Sequence, residues 1–219
     1  MTKIAIKICD VRSSESLAIC QDSKVDFIGV HLINPPVQPE KIEVCRKMVR
    51  EAGSIKTVLL TKTVPFDELI DVLRQAPFDY LQIHRSCSID EVAWIKEKAI
   101  NDTGKPIGVI AMFEGDNCDF EKVVEMSKVA DFILFDSSHV GGTGKRISPE
   151  GLRAIAEHCK GIPYFIAGGL DPSNVMEIIR IAHPYGVDVQ SGVNIDGVKH
   201  EKDINKVRAF VNNVRNMPV

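Results

Sequence analysis

The sequence is poor in aromatic residues and has no strong excess of either charge. Aromatic residues make up 6% of the 219 residues, there is one tryptophan, and the formal net charge is −3. No block of lysine and arginine residues stands out, so we expect no nucleic acid partner. The apolar runs are far shorter than the roughly 20 residues that span a bilayer, so we expect no membrane association.

The cysteines lack the spacing of a disulfide scaffold or a zinc site. There are six, and they are scattered without a C-x-x-C pair: Cys9, Cys20, Cys45, Cys87, Cys118 and Cys159. We expect reduced thiols and no bound metal. The opening stretch "MTKIAIKICD" enters a strand-like pattern at once, which leaves no room for a signal peptide. These features predict a cytoplasmic protein.

What the sequence does contain is one unit repeated along its length. Short β-branched runs recur as "KIAIKIC", "DFIGVHL", "IKTVLLT", "DYLQIH", "PIGVIAM", "DFILFD", "PYFIAGG" and "VDVQSG". Segments with helical spacing lie between them, for example "PFDELIDVLRQA" and "SPEGLRAIAEHC". Strand–helix units of this number and length predict an α/β fold, a single (β/α)8 TIM barrel over residues 1–219. A doubly wound open sheet is the alternative.

In such a barrel the chemistry lies at the C-terminal strand ends and in the loops that follow them. The glycine-rich stretches "AGGLDPSN" and "QSGVN" follow the seventh and eighth strands and contain Gly168, Gly169, Ser191 and Gly192. Glycines there allow backbone N–H groups to approach a phosphate, although they also suit ordinary tight turns. We predict a phosphate site formed by these two loops, and therefore a small phosphorylated sugar as substrate.

Two further strand-end residues are candidates for acid–base chemistry. Asp136 ends an apolar strand, where desolvation raises a carboxyl pKa and favours a proton donor. The alternative is an aspartate that caps the following loop. Cys9 ends the first strand beside Lys7 and Asp10, where a thiol acts as a base if its pKa falls, or simply packs in the core. We expect residues 141–145 to form a mobile cover over the site.

Taken together, these motifs resemble the phosphoribosylanthranilate isomerase family of tryptophan biosynthesis. The stretches that carry the resemblance are "KIC", "DFIGV", "LQIH", "FDSSHVGGTGK", "FIAGGLDPSNV" and "YGVDVQSGV". They run from the first strand to the last helix, so the resemblance covers essentially the whole chain. It implies a cofactor-free and metal-free Amadori rearrangement of an N-linked aldose phosphate to an aminodeoxyketose phosphate.

The resemblance also implies roles for individual residues. Asp136 would be the general acid that protonates the ribose ring oxygen, and Cys9 the general base that removes the C2 proton. The phosphate would be held by Gly168, Gly169, Ser191 and Gly192. The residues expected to contact the rest of the substrate are His31, His84, Arg85 and Gly142.

The sequence departs from the family pattern at the mouth of the site. Asp10 stands where the family usually has glycine, and this negative charge is expected to raise the pKa of the Cys9 thiol. The stretch "HLINPPVQPE" lacks the arginine that binds the anthranilate carboxylate in the family, whereas Arg85 replaces a glycine after "QIH". Arg85 therefore becomes a candidate for carboxylate recognition from across the mouth.

Three functions remain open on this evidence. The first is the family reaction, and the second is isomerisation or epimerisation of a different phosphosugar. A metal-dependent form of the second would draw on His31, His84 and Asp136, which all end even-numbered strands. The third is phosphate-ligand binding without catalysis. The sequence is equally compatible with a monomer and a homodimer.

Overall fold

Eight parallel strands close into a barrel in the part of the chain that the structure describes. The computed structural model describes residues 3–138 and 145–217. The strands are β1 (Ala5–Ile8), β2 (Phe27–Leu32), β3 (Lys56–Thr61), β4 (Tyr80–Ile83), β5 (Gly108–Glu114), β6 (Phe132–Asp136), β7 (Tyr164–Ile166) and β8 (Gly186–Val189). They pair in chain order, and β8 pairs with β1 to close the barrel. The predicted (β/α)8 barrel is confirmed, while its extent over all of residues 1–219 stays a prediction.

A helix follows each of these strands and packs on the outside of the barrel. The helices are α1 (Ser14–Asp22), α2 (Pro39–Glu51), α3 (Phe66–Gln75), α4 (Ile89–Thr103), α5 (Phe120–Met126), α6 (Pro149–His158), α7 (Val175–Ala182) and α8 (Ile204–Arg215). Side chains cap several of their first turns, as at Ser13, Ser88, Asp119, Ser148 and Asp203. Each such cap contributes about 1 kcal/mol. Among the described residues, no helix has the length and apolarity that crossing a bilayer requires.

Aromatic rings fill the barrel at the N-terminal ends of its strands. Phe27, Tyr80 and Phe132 are the first residues of β2, β4 and β6, and Phe165 lies in β7. The ring centroid of Phe165 lies 5.4 Å from that of Phe27 and 5.3 Å from that of Phe132, both in edge-on contacts. This apolar layer closes the lower end of the barrel, so the polar side chains above it face the opposite, C-terminal end.

A buried ion pair lies in the barrel interior between the aromatic layer and the strand ends. Alternation along β1 directs Lys7 and Cys9 inward, and Lys7 is opposite Asp188 in the register of β1 with β8. Lys7 Nζ lies 2.7 Å from Asp188 Oδ2, and the lysine side chain has no exposed surface. Charged groups in a barrel core are costly unless they are paired. The Lys7–Asp188 pair lies directly below the strand ends and is therefore next to the site.

Candidate active site

A polar cavity opens at the C-terminal strand ends and has a volume of about 320 Å³. Its lining comes from seven of the strands or the loops that follow them, which is the arrangement expected for a barrel site. The lining residues are Cys9, Asp10, Arg12, His31, Ile33, Leu60, Lys62, Gln82, His84, Asp136, Ala167, Gly168, Gly169, Leu170, Asp188, Gln190, Ser191 and His200. Both candidate acid–base groups and both predicted phosphate loops therefore contribute to one cavity.

The Cys9 thiol lies between a cation and an imidazole. Lys7 Nζ donates to Cys9 Sγ at 3.2 Å, and His31 Nε2 lies 3.1 Å from the same sulfur. Burial raises the pKa of Cys9 to about 11; Lys7 opposes this shift, whereas Asp188 and Asp10 add to it. Asp10 thus raises the pKa of Cys9, as the sequence predicts. At neutral pH, Cys9 is consequently a protonated thiol.

Asp10 is the centre of a hydrogen-bond network beside Cys9. Its carboxylate has no exposed surface, and it accepts from Arg12 Nε at 2.5 Å and from Gln190 Nε2 at 3.3 Å, while His200 Nδ1 lies 2.5 Å away. Burial by itself raises the pKa of Asp10, but His31, Arg12 and His200 together hold it below its ordinary value. The residue has φ of 62°, a left-handed conformation that glycine favours and aspartate tolerates.

Asp136 ends β6 and faces the cavity with 8% of its surface exposed. Its Oδ1 accepts from Ser137 Oγ at 3.3 Å and from the Ser138 backbone N–H at 3.4 Å. Burial raises the pKa of Asp136, and the bonds from the two serines only partly offset this effect. The carboxyl thus has both properties considered from the sequence, since it accepts hydrogen bonds from the loop after β6 and has a raised pKa.

Two more side chains, His84 after β4 and Lys62 after β3, lie near Asp136 from across the barrel mouth. His84 Nε2 lies 3.9 Å from Asp136 Oδ2, and Gln82 Nε2 lies 3.4 Å from His84 Nδ1. Burial lowers the pKa of Lys62, which also lines the cavity, although the nearby Asp136 carboxylate raises it in part. In the described ranges, no three histidine, cysteine or acidic side chains are grouped as metal ligands.

The loops after β7 and β8 are built as a close-packed pair. Gly168 and Gly169 have φ of 86° and 62°, and a side chain on Gly168 would start 2.9 Å from Asp136 Oδ1. A side chain on Gly192 would meet the Leu170 carbonyl oxygen at 2.0 Å. These glycines therefore allow the two loops to pack tightly, and they also leave the loop backbone accessible. Gly168, Gly169 and Ser191 line the cavity, whereas Gly192 is absent from the lining formed by the described residues.

Arg85 is held by partners that do not line the cavity. Its Nη2 donates to Glu91 Oε1 at 2.9 Å and its Nη1 to the Ser86 carbonyl at 2.7 Å. The guanidinium carbon lies 5.3 Å from the ring centroid of Phe66. Arg85 is absent from the cavity lining formed by the described residues. Gly142 and most of the expected cover, residues 141–145, lie outside the described residues.

Several lining residues were not singled out by the sequence reasoning: Lys62, Gln82, Asp188, Gln190 and His200. Alternation along "VDVQ" is the signal that points Asp188 and Gln190 to the same face of β8. No comparable signal exists for His200, because it lies in the irregular segment before α8, 190 positions from its partner Asp10. Only closure of the barrel brings those two residues together.

The fold and this cavity define the class of protein: a (β/α)8 barrel whose C-terminal strand ends enclose one cavity that Cys9 and Asp136 both line. Within that class, the family model for N-(5'-phosphoribosyl)anthranilate (PRA) isomerase matches residues 6–213. The match covers nearly the whole chain, and the chain belongs to this family.

Individual relatives agree with the family assignment. The chain is 31% identical to N-(5'-phosphoribosyl)anthranilate isomerase of Aquifex aeolicus, with 95% of this chain and 97% of that one aligned. It is 32% identical to the Haloferax volcanii enzyme of the same name, over 94% of this chain and 90% of that one. The solved structure of the Pyrococcus furiosus isomerase superposes with a TM-score of 0.75 at 26% identity, covering 98% and 100% of the two chains.

Proposed function

We propose that this chain isomerises N-(5'-phosphoribosyl)anthranilate to 1-(o-carboxyphenylamino)-1-deoxyribulose 5-phosphate. The observation that carries the proposal is the shared cavity, which is lined by the Cys9 thiol, the Asp136 carboxyl and the glycine-rich loops after β7 and β8. Family membership supports the same reaction. One relative of known structure, with a TM-score of 0.76, is described as a complex with the reduced form of that product.

The chemistry needs a proton donor on one side of the sugar and a proton acceptor on the other. Asp136 donates to the ribose ring oxygen, the C1–O bond breaks, and the nitrogen lone pair forms a C1=N iminium. The raised pKa of Asp136 favours the protonated carboxyl that this step requires. Cys9 then removes the C2 proton, and the resulting enolamine tautomerises to the ketone. The phosphate lies against Gly168, Gly169 and Ser191, which line the cavity, and away from the reacting carbons.

The proposal is tested by the loss of substrate fluorescence on conversion to product. Wild-type protein is compared with Cys9→Ala and Asp136→Asn, and an established family member is the positive control. We expect turnover by the wild type and a loss of about 10²- to 10⁴-fold in kcat for each variant, the usual contribution of a general acid or base. Absence of turnover by the wild type, with an active control, rejects the proposal.

A specific observation favours a second candidate, the same rearrangement on a ribose phosphate with a different amine. The segment after β2 contributes Ile33 and no cation to the cavity, whereas Arg12 and Lys62 approach from other strands. The cation that would face the amine half of the substrate has therefore moved relative to the family pattern. Competition between phosphoribosylanthranilate and other N-linked ribose 5-phosphates, at equal concentration, separates the two candidates.

We also infer a cytoplasmic location. All six cysteines are free thiols, and four of them are buried. A chain with six unpaired cysteines suits a reducing compartment. Fractionation of the native host, with a cytoplasmic marker enzyme as reference, tests this inference.

A further inference from the structure

At the ends of β1 and β2, the His31 imidazole lies between the Cys9 thiol and the Asp10 carboxylate. His31 Nε2 lies 3.1 Å from Cys9 Sγ, and the other ring nitrogen, Nδ1, lies 3.5 Å from Asp10 Oδ1. A sulfur, an imidazole and a carboxylate in this order have the geometry in which a base activates a thiol and a carboxylate orients the base. The His31 side chain is 9% exposed and lines the cavity.

Local backbone features hold these three side chains in place. Alternation along β2 turns Gly29 and His31 to the same inner face, and a side chain on Gly29 would start 2.7 Å from Cys9 Sγ. The absence of that side chain allows the thiol to occupy the space next to His31. Asp10 is fixed by its left-handed φ and by its bond from Arg12. The imidazole therefore bridges a buried thiol and a buried carboxylate.

The surrounding charges define the resting protonation state. The charged groups acting on His31 are Asp10, Lys7, Arg12 and Lys202. Asp10 raises the pKa of His31, but burial outweighs this effect and lowers the pKa to about 3. The charged groups that shift the pKa of Cys9 are Lys7, Asp188 and Asp10. Cys9 in turn raises the pKa of Lys202 in part. At neutral pH, a neutral thiol consequently contacts a neutral imidazole.

A neutral thiol cannot remove a carbon-bound proton unless it loses its own proton in the same event. Among the described residues, the nitrogen atoms recorded in contact with Sγ are Lys7 Nζ and His31 Nε2. Burial by itself lowers the pKa of Lys7, but Asp188 and Cys9 outweigh burial and raise it, so the ammonium remains a donor. His31 is then the neighbour with a vacant lone pair for the thiol proton.

We propose that His31 accepts the proton of Cys9 as Cys9 removes the C2 proton of the substrate, and that Asp10 stabilises the imidazolium so formed. The C2–H and old S–H bonds break, and the new S–H and Nε2–H bonds form. The C2 electron pair neutralises the iminium nitrogen, so the positive charge moves from the substrate to His31, next to the Asp10 carboxylate. His31 and Asp10 are positioning residues in this scheme, which rests on the proposed function.

The kinetic test uses His31→Gln and Asp10→Asn, with His183→Asn as a matched control. His183 is exposed and ends α7 at the opposite end of the barrel, and asparagine suits its left-handed φ of 46°. We expect His31→Gln to lower kcat at pH 7 by about 10²-fold, with KM within about threefold, because glutamine keeps a polar side chain at this position but is not a base. Asp10→Asn is expected to lower kcat by about tenfold, and the control to leave it unchanged.

The pH profile separates a proton acceptor from a packing residue. Without His31, Cys9 must release its proton to solvent, so the ratio of the His31→Gln kcat to the wild-type kcat should rise by about tenfold per pH unit between pH 7 and 9. The ratio cancels the contribution of Asp136, which both proteins share. A constant ratio, or a kcat within twofold of wild type, overturns the proposal.

A second measurement is independent of the identity of the substrate. The rate at which iodoacetamide alkylates Cys9 is followed by peptide mass spectrometry, which separates this thiol from the other five. His31→Gln should alkylate at least about tenfold more slowly at pH 7, because the imidazole is then absent to take the thiol proton as the new S–C bond forms. Slower alkylation without turnover of phosphoribosylanthranilate would reject the proposed function and support the role of His31. Equal alkylation rates overturn the role of His31. If His31→Gln fails to fold, Asp10→Asn carries the kinetic measurement, and a kcat within twofold of wild type then overturns the proposal.

Discussion

Gly29 and Cys9 face each other across the β1–β2 pair so closely that a Cβ on Gly29 would lie 2.7 Å from the Cys9 sulfur. The same Cβ would lie 3.1 Å from Lys7 Nζ. The glycine in β2 thus sets the space available to the thiol and to the lysine that donates to it. This relationship links the sequence of β2 directly to the chemistry of β1.

Gly29→Ala is therefore expected to disturb activity and stability together. Overpacking of a close-packed interior costs about 1–3 kcal/mol, and the sulfur must move to relieve the contact. We expect a lower midpoint of urea unfolding and a kcat reduced by at least about tenfold, since small displacements of reacting groups are costly.

Gly104→Ala provides the control for this substitution. Gly104 ends α4 with φ of 71°, and no atom lies within 4 Å of the position of an added Cβ. The control should lose about 1 kcal/mol of stability from backbone strain and retain wild-type kcat. Equal kcat values for Gly29→Ala and the wild type would show that the thiol tolerates displacement.

Asp136→Asn should make the protein less active and more stable at neutral pH. Burial raises the pKa of Asp136, so the native state binds its proton more tightly than the unfolded chain does. Stability due to this group is full below the unfolded value of 3.8 and is lost as the pH rises through the higher native value. The amide of the Asp136→Asn variant does not ionise, so the variant does not lose this stability as the pH rises.

The measurement for Asp136→Asn is the thermal midpoint of each protein at pH 3.5 and pH 7. The thermal midpoint of Asp136→Asn should exceed that of the wild type at pH 7. This difference in midpoint should shrink at pH 3.5, where the wild-type carboxyl is protonated. Enzyme activity at pH 7 is measured on the same samples. A variant less stable than wild type at pH 7 would indicate that the carboxylate bonds from Ser137 and Ser138 outweigh desolvation.

The barrel and much of its site could be predicted from the sequence because both depend on local patterns. Apolar periodicity defined the strand–helix units, and strand-end position alone led to Cys9, His31 and Asp136, which the cavity unites. Arg85 also follows a strand, but Glu91 in the first turn of α4 binds its guanidinium. Strand-end position could not reveal that competition, which depends on how the side chains pack. Contacts across the barrel closure, such as His200 with Asp10, depend on tertiary structure alone.

The buried Lys7–Asp188 pair should be essential to stability. Lys7→Met leaves the Asp188 carboxylate without its 2.7 Å partner, and removing one member of a buried pair costs about 3–5 kcal/mol. The double variant Lys7→Met/Asp188→Leu removes the orphaned charge and is expected to recover part of that loss. Lys122→Met, which breaks the exposed pair with Asp119, is the control and should change stability little.

Chemical denaturation of the wild type, Lys7→Met, the double variant and Lys122→Met gives the free energy of unfolding of each protein. A double variant less stable than Lys7→Met would mean that Asp188 has favourable interactions beyond the lysine. Its Oδ1 has no hydrogen-bond partner among the described residues, so we expect the double variant to be the more stable of the two.

Recognition of the amine half of the substrate should depend on Arg12 and not on Arg85. Arg12 lines the cavity and uses Nε to bind Asp10, whereas Arg85 is held by Glu91 outside the lining. A hydrogen bond to a charged group contributes about 1.5–3 kcal/mol, so Arg12→Ala should raise KM by at least about tenfold. Arg85→Ala should leave KM within about twofold of wild type, because its loss affects the start of α4 rather than the substrate.

Steady-state kinetics with phosphoribosylanthranilate measures both arginine variants, and Arg12→Lys tests whether charge alone suffices. Lysine keeps the charge but loses the planar fork, so it should restore part of the affinity. The reverse pattern, with KM raised by Arg85→Ala and unchanged by Arg12→Ala, would mean that Arg85 leaves Glu91 when substrate binds. Carboxylate recognition would then come from the β4 side of the mouth, as the position of Arg85 after β4 suggests.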